Sequence, residues 1–156
     1  MKLTLIAVGH RMPGWITAGV DDYARRMPPD LPLQLVEIKP GHRVAGEDGG
    51  RARRLEAERI LAALPQGALP VALDERGVQA TTHELADWLS GWMQEGVSPA
   101  FIIGGADGLD DQIKARAGRM LGLSKLTLPH ALARVLLAEQ LYRAVCILKG
   151  HPYHRD

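Results

Sequence analysis

Short apolar runs and longer amphipathic segments alternate along the chain, and their order predicts the layout of the molecule. "LTLIAVG" (3–9) is a β-rich run ending on glycine, and "GWITAGVDDYARRM" (14–27) is a helix stopped by Pro28 and Pro29. A second strand, "LQLVEIK" (33–39), shows partial alternation and leads into a glycine-rich, charged stretch over 40–54. In "RLEAERILAAL" (54–64), Leu55, Ile60, Leu61 and Leu64 fall near one helical face, and Pro65 and Gly67 end the helix. "LPVALDE" (69–75) reads as a third strand, with a turn at Arg76 and Gly77.

Thr81 or Thr82 can cap the next helix, in which Leu85, Trp88, Leu89 and Trp92 form the inward stripe. "PAFIIGG" (99–105) is continuously apolar, the pattern of a parallel strand buried on both faces. "LDDQIKARAGRML" (109–121) opens with acids, which suits the positive end of a helix. "LSKLTL" (123–128) reads as a fifth strand, and "ALARVLLAEQLYRAVCILK" (131–149) as a last helix ended by Gly150 and Pro152. Five alternations of this kind predict an α/β fold: an open, mostly parallel sheet with helices on both faces.

With 156 residues, the chain is expected to form one domain over 1–156. The formal net charge of +1 does not advertise a polyanionic partner, so any contact with nucleic acid must come from a local basic cluster. Cys146, the single cysteine, excludes an internal disulfide and reads as a small buried hydrophobe. No signal-peptide pattern opens the chain, and Arg134, Glu139, Gln140 and Arg143 interrupt the most apolar helix, so no membrane span is expected. These features together predict a soluble protein of the reducing cytoplasm.

In open α/β sheets ligands gather beyond the carboxyl ends of the strands, and three such ends here carry unusual residues. Asp74 and Glu75 in "LDERG" could form a carboxylate pair, although an ordinary turn accounts for them more simply. Gly104, Gly105 and Gly108 in "IIGGADG" let a ligand approach the backbone. Their spacing is not the dinucleotide fingerprint, and Asp107, Asp110 and Asp111 disfavour phosphate, so the turn suits a cationic or nearly neutral ligand. The third end is "LSKLTLPHALARVLLAEQLYRA". There Ser124 and Thr127 offer hydroxyls, and Glu139 can pair with Arg143 at i,i+4 on a solvated face. A helix this apolar around its circumference is expected to pack partly against a second subunit.

The stretches "IGGADGL", "LSKLTLPHALARVLLAEQLYRA" and "HPYHRD", in that order, resemble the RlmH (YbeA) family within the SPOUT class of methyltransferases, along the whole chain. The resemblance implies a C-terminal trefoil knot, which general topology rules would not suggest, and a homodimer. It implies S-adenosylmethionine as cofactor, held mainly by backbone groups at Leu73, Gly105, Ser124, Lys125, Leu126, Thr127, Leu128 and Pro129. The implied reaction is methylation of N3 of a pseudouridine in large-subunit ribosomal RNA, on an assembled ribosomal particle.

N3–H of pseudouridine is a weakly acidic imide, so a base is useful, and a positioned base typically contributes about 10²–10⁴-fold. Glu139, His151 and His154 are the candidates. His154 ranks first because histidine as a type titrates near neutral pH, with loss of the proton to solvent as the alternative. Arg155 or Arg143 could stabilise the anion, and Tyr153 could stack on the base. The tail is expected to start from a fixed point near the cofactor loops, and the dimer that the resemblance implies would put one subunit's tail and loops beside the other's cofactor cleft. Lys39, Arg43, Arg51, Arg53 and Arg54 make the 39–54 stretch the candidate RNA contact, expected to be mobile before binding, with a solvated loop as the alternative. Two rival functions are a non-catalytic ribosome-binding protein and a nicotinamide-dependent oxidoreductase. A metal site at His151 and His154 lacks an evident third ligand, and none is expected.

Overall fold

The computed structural model describes residues 1–155, and Asp156, the last residue of the tail motif, lies outside the described residues. The elements in chain order are β1 (Leu3–Val8), α1 (Gly14–Arg26), β2 (Leu33–Ile38), α2 (Gly50–Ala63), β3 (Leu69–Val78) and α3 (Thr82–Glu95). They continue with β4 (Pro99–Ile103), α4 (Asp111–Arg116), β5 (Arg119–Leu121) and α5 (His130–Lys149). The strands form one sheet in the order β2-β1-β4-β3-β5, and every neighbouring pair is parallel. The α/β class and the parallel sheet expected from the sequence are both present.

The period of two along the strands sorts side chains between two cores. Leu3, Leu5 and Ala7 of β1, with Phe101 and Ile103 of β4, face the layer formed by α1, α3 and α5. Ile6, Val8, Ala100 and Ile102 face α2 and α4. β1 and β4 are buried along their whole length, which accounts for their unbroken apolar sequence. Thr81 caps α3 with a full capping box: its hydroxyl accepts from the Glu84 N–H, and the Glu84 carboxylate accepts from the Thr81 N–H. Cys146 is buried and free, as its setting predicts.

Three expectations are corrected. The helix expected over 109–121 is only α4, because Arg119–Leu121 pairs with Val71–Leu73 as β5 and Leu121 enters the core. The fifth strand expected over 123–128 is a loop. Leu126 is three-quarters exposed there, and its N–H donates to the Ser124 hydroxyl in a local turn. A short apolar run does not say whether it pairs in a sheet or lines a cleft. Finally, β3 runs on through the expected turn to Val78, with a register shift after Leu73.

Past that shift the end of β3 lies against the chain leaving β5 at backbone contact. A Cβ on Gly77 would lie 2.6 Å from the carbonyl carbon of Leu121, and one on Gly122 would lie 2.9 Å from the Gly77 oxygen. Side chains are excluded from both positions, so these glycines permit the close approach.

Candidate active site

Beyond the carboxyl ends of β3 and β4 lies a cleft of about 510 Å³, closed by the loop that follows β5 and by the start of α5. Gly104 is required there because a Cβ would sit 2.8 Å from the Gly108 backbone carbon, across the turn closed by the Gly108 N–H on the Gly105 oxygen. Of the eight positions expected to hold the cofactor, Leu73, Gly105, Ser124, Leu126, Thr127 and Leu128 line this cleft. Lys125 projects into solvent and Pro129 caps α5 outside the lining, where its fixed φ starts the helix.

Asp74 and Glu75 both border the cleft but do not act as a pair. Asp74 binds the Lys114 ammonium at 3.0 Å and accepts from the Arg76 N–H at 2.8 Å. Burial pushes the Asp74 carboxyl upward, but those two donors hold it below its ordinary value, so it stays ionised. Sequence reasoning missed His130, which also lines the cleft. Its position directly after Pro129, at the end of the expected cofactor run, was the available signal.

The arginine run does not sit on a loop, because α2 begins at Gly50 and carries Arg51, Arg53 and Arg54 in its first turns. Cations at a helix N-terminus oppose the helix dipole, so the local field there is strongly positive. Asp48 offsets part of it by accepting from the Gly50 N–H at 2.9 Å, which lowers its carboxyl pKa. Two ties join the preceding segment to the cleft wall: the Gly41 N–H donates to Glu56 at 2.8 Å, and Arg43 pairs with Asp107 at 2.9 Å. Glu56 is buried on α2 beside Gly105. Burial, with the nearby Asp107 charge, raises its carboxyl pKa.

The tail packs on its own helix. The Tyr153 ring lies edge-on to Tyr142 at 4.8 Å, and its hydroxyl donates to Glu139 at 3.2 Å. Burial, the Tyr23 hydroxyl and Glu139 push the Tyr153 phenol well above its usual range, so it acts as a donor. Glu139 also accepts from Arg143 and Gln140. The expected Glu139–Arg143 pair therefore exists, but half-buried in a network, not on a solvated face. His154 Nδ1 lies 3.2 Å from an Arg143 nitrogen and its ring meets His83 edge-on. Guanidinium only donates, so Nδ1 accepts there and Nε2 carries the proton of the neutral ring. His151 Nδ1 accepts from the Tyr153 N–H at 3.2 Å. Among the described residues no three His, Cys, Asp or Glu side chains gather as metal ligands, and no helix is long and apolar enough to cross a membrane.

One expectation about the tail is overturned. The cleft is at the start of α5 and the tail leaves its other end, 20 residues and so roughly 30 Å away. Turning back along the helix, Tyr153 and His154 reach Glu139 and Arg143, still more than two turns from His130. Glu139, Tyr153, His154 and Arg155 thus stand apart from the cleft of their own chain.

A parallel sheet with a glycine-walled cleft at its carboxyl edge is common to many enzymes, so the comparison with known proteins decides the lineage. A family model described as a predicted SPOUT methyltransferase matches residues 1–154. The chain belongs to the SPOUT methyltransferase family. Similar to it is the ribosomal RNA large subunit methyltransferase H of Thiobacillus denitrificans, 74% identical over 156 residues and all of both chains. The protein of the same name from Burkholderia multivorans is 57% identical over 155 residues, 99% of each chain. Among solved structures, a probable methyltransferase from Bordetella pertussis superposes with a TM-score of 0.60 at 17% identity, covering 92% of this chain and 95% of that one. That likeness concerns the fold alone. Membership of the SPOUT methyltransferase family makes the protein a methyltransferase and removes both the oxidoreductase and the non-catalytic binding protein as readings.

Proposed function

We propose that this methyltransferase uses S-adenosylmethionine to methylate N3 of a pseudouridine in large-subunit ribosomal RNA, acting on an assembled ribosomal particle as a homodimer. The observation that carries this reading is the 74% identity, over the full length of both chains, to a relative named as a ribosomal RNA large subunit methyltransferase. The chemistry of the cleft fits the cofactor. Leu73, Leu126 and Leu128 offer an apolar bed for adenine, and the turn at Gly105 with the 124–128 loop offers main-chain donors and acceptors. Acids at the rim suit a ligand that is cationic and carries no phosphate. The close backbone approach at Gly77 and Gly122 fits the trefoil threading that the family implies.

When bound, S-adenosylmethionine supplies a methyl group on a positively charged sulfur, open to in-line attack. The protein must then align N3 with that carbon, a contribution of roughly 7–11 kcal/mol at best. It must also remove the N3 proton. The separation of tail and cleft in one chain calls for a partner subunit that lays its tail beside this cleft. There Arg143 turns from His154 to the developing imide anion and its oxygens. That movement frees His154 Nδ1 to take the proton, while Tyr153 and Arg155 contact the nucleotide. Arg43, Arg51, Arg53 and Arg54 bind backbone phosphates. The whole reading is tested by incubating the protein with labelled S-adenosylmethionine and large subunits lacking the modification, then mapping the label. Label at N3 of one pseudouridine is expected, and absence of transfer to any ribosomal particle would refute it.

A further inference from the structure

Asp107 stands where the cleft meets the segment that carries the arginines. Its carboxylate lines the cleft with a side chain 18% exposed, and it packs directly on the Cα of Gly49, where a Cβ would come within 2.6 Å of Asp107 Cγ. Among the described residues the cation bound to it is Arg43, at 2.9 Å, and that side chain is 56% exposed. Their situations differ in consequence. Arg43 can swing into water at little cost, whereas a half-buried carboxylate left without a donor loses its desolvation compensation. Asp107 therefore holds a cation, but not necessarily this one.

The other acids of the cleft are less available. Asp74 is occupied by Lys114 and the Arg76 N–H, both within the cleft wall, and Glu75 is exposed at the rim. The cleft lining has three acids, Asp74, Glu75 and Asp107, against the two permanent cations Arg76 and Lys114. With Arg43 withdrawn, the lining has a deficit of one positive charge. S-adenosylmethionine carries two cationic centres and one carboxylate, so it supplies that charge, and of its cationic centres only the ammonium donates hydrogen bonds.

We propose that Asp107 accepts the ammonium of the cofactor's methionyl end, and that Arg43 is a placeholder which the cofactor displaces toward the RNA. The proposal rests on the methyltransferase reading above and adds to it the residue that reads the cofactor's cation. It also sets an order. The same arginine cannot serve Asp107 and a phosphate at once, so cofactor binding strengthens RNA binding, and by linkage RNA strengthens cofactor binding by the same factor.

The test is calorimetric titration of the wild type, Asp107→Asn and Arg43→Ala with S-adenosylmethionine, S-adenosylhomocysteine and 5′-methylthioadenosine, which lacks the amino-acid end. Asp107→Asn should weaken the first two about tenfold and leave methylthioadenosine unchanged, since one charge-assisted hydrogen bond is lost. Arg43→Ala should tighten the first two about threefold by removing a weak competitor. In a second measurement, S-adenosylhomocysteine should raise wild-type affinity for large ribosomal subunits and have no such effect on either variant. Equal weakening of all three ligands by Asp107→Asn would mean that the residue only shapes the cleft, and no weakening would mean that it does not touch the ammonium. Either result overturns the proposal, as does a wild-type response to S-adenosylhomocysteine retained in Arg43→Ala. A wild type that binds none of the ligands sinks the methyltransferase reading and this inference together. Normal wild-type binding with an indifferent Asp107→Asn sinks the inference alone.

Discussion

Glu56 lies on a helix rich in charge, yet the residue is only 7% exposed, with its side chain against Gly105 and bonded to the Gly41 N–H. Its raised pKa has a defined consequence for stability. Between the ordinary value of 4.5 and the raised one, the folded protein keeps a proton that the unfolded chain has released. Stability therefore falls as pH rises through that window, and the loss is complete above it. In Glu56→Gln this slope should vanish and the Gly41 bond survive, so the variant should match or exceed the wild type at neutral pH in urea titrations. Glu56→Ala should cost about 1–3 kcal/mol by orphaning a half-buried N–H. For His154 the expectation is kinetic: His154→Ala should slow single-turnover methylation about 10²-fold or more with cofactor affinity unchanged. A near-normal rate would leave the proton to solvent. Neither residue's setting could be read from its neighbours. Glu56 falls in a charged run and Arg143 reaches His154 across 11 positions, so sequence spacing shows the residue types but not the partners.

At the scale of elements, α2 and α5 matter most. Arg51, Arg53 and Arg54 occupy the positive end of α2, a placement that costs folding energy and favours bound phosphate. Replacing all three by Ala should weaken binding to ribosomal particles and flatten its dependence on salt by up to about three units of log–log slope, with cofactor affinity intact. Equal loss of cofactor binding would point instead to a damaged fold. α5 carries Arg134 at 1% exposure. Its guanidinium donates to Glu37 at 2.7 Å and to the Gly9 carbonyl at 2.9 Å, tying the helix to the ends of β2 and β1. The strands and long helices were legible because a period of two or 3.6 marks a buried face. The region from 109 to 128 was not. β5 has three residues and no period to detect, while the leucines of 123–128 belong to a cleft loop and mimic a strand.

The whole molecule poses the question of where the site is assembled. Cleft and tail lie toward opposite ends of α5, so in the proposed reaction each chain supplies half of the site. Mixed dimers give a direct check. Gly105→Val should distort the glycine turn that walls the cleft, since even a Cβ there lies 3.0 Å from Val8 Cγ1 in the core beneath it, and His154→Ala removes the base proposed for the tail. Gly105→Val alone should not methylate, and His154→Ala alone should be slowed about 10²-fold. Co-refolded, they should recover activity, because one intact cleft then meets one intact tail across the interface. Silence in the mixture would place both halves in the same subunit.

The chain's own order of residues determined the α/β class, the parallel sheet and the positions of the long elements. Those follow from periodicity, turn residues and motifs that are local in sequence. Tertiary structure decided the rest: that 123–128 is a cleft wall, that Asp107 holds Arg43, that Glu56 is buried beneath the glycine turn, and that the tail packs away from the cleft of its own chain. These are relations between segments far apart in the chain. They depend on which surfaces the sheet brings together and on the direction in which a 20-residue helix carries its two ends apart.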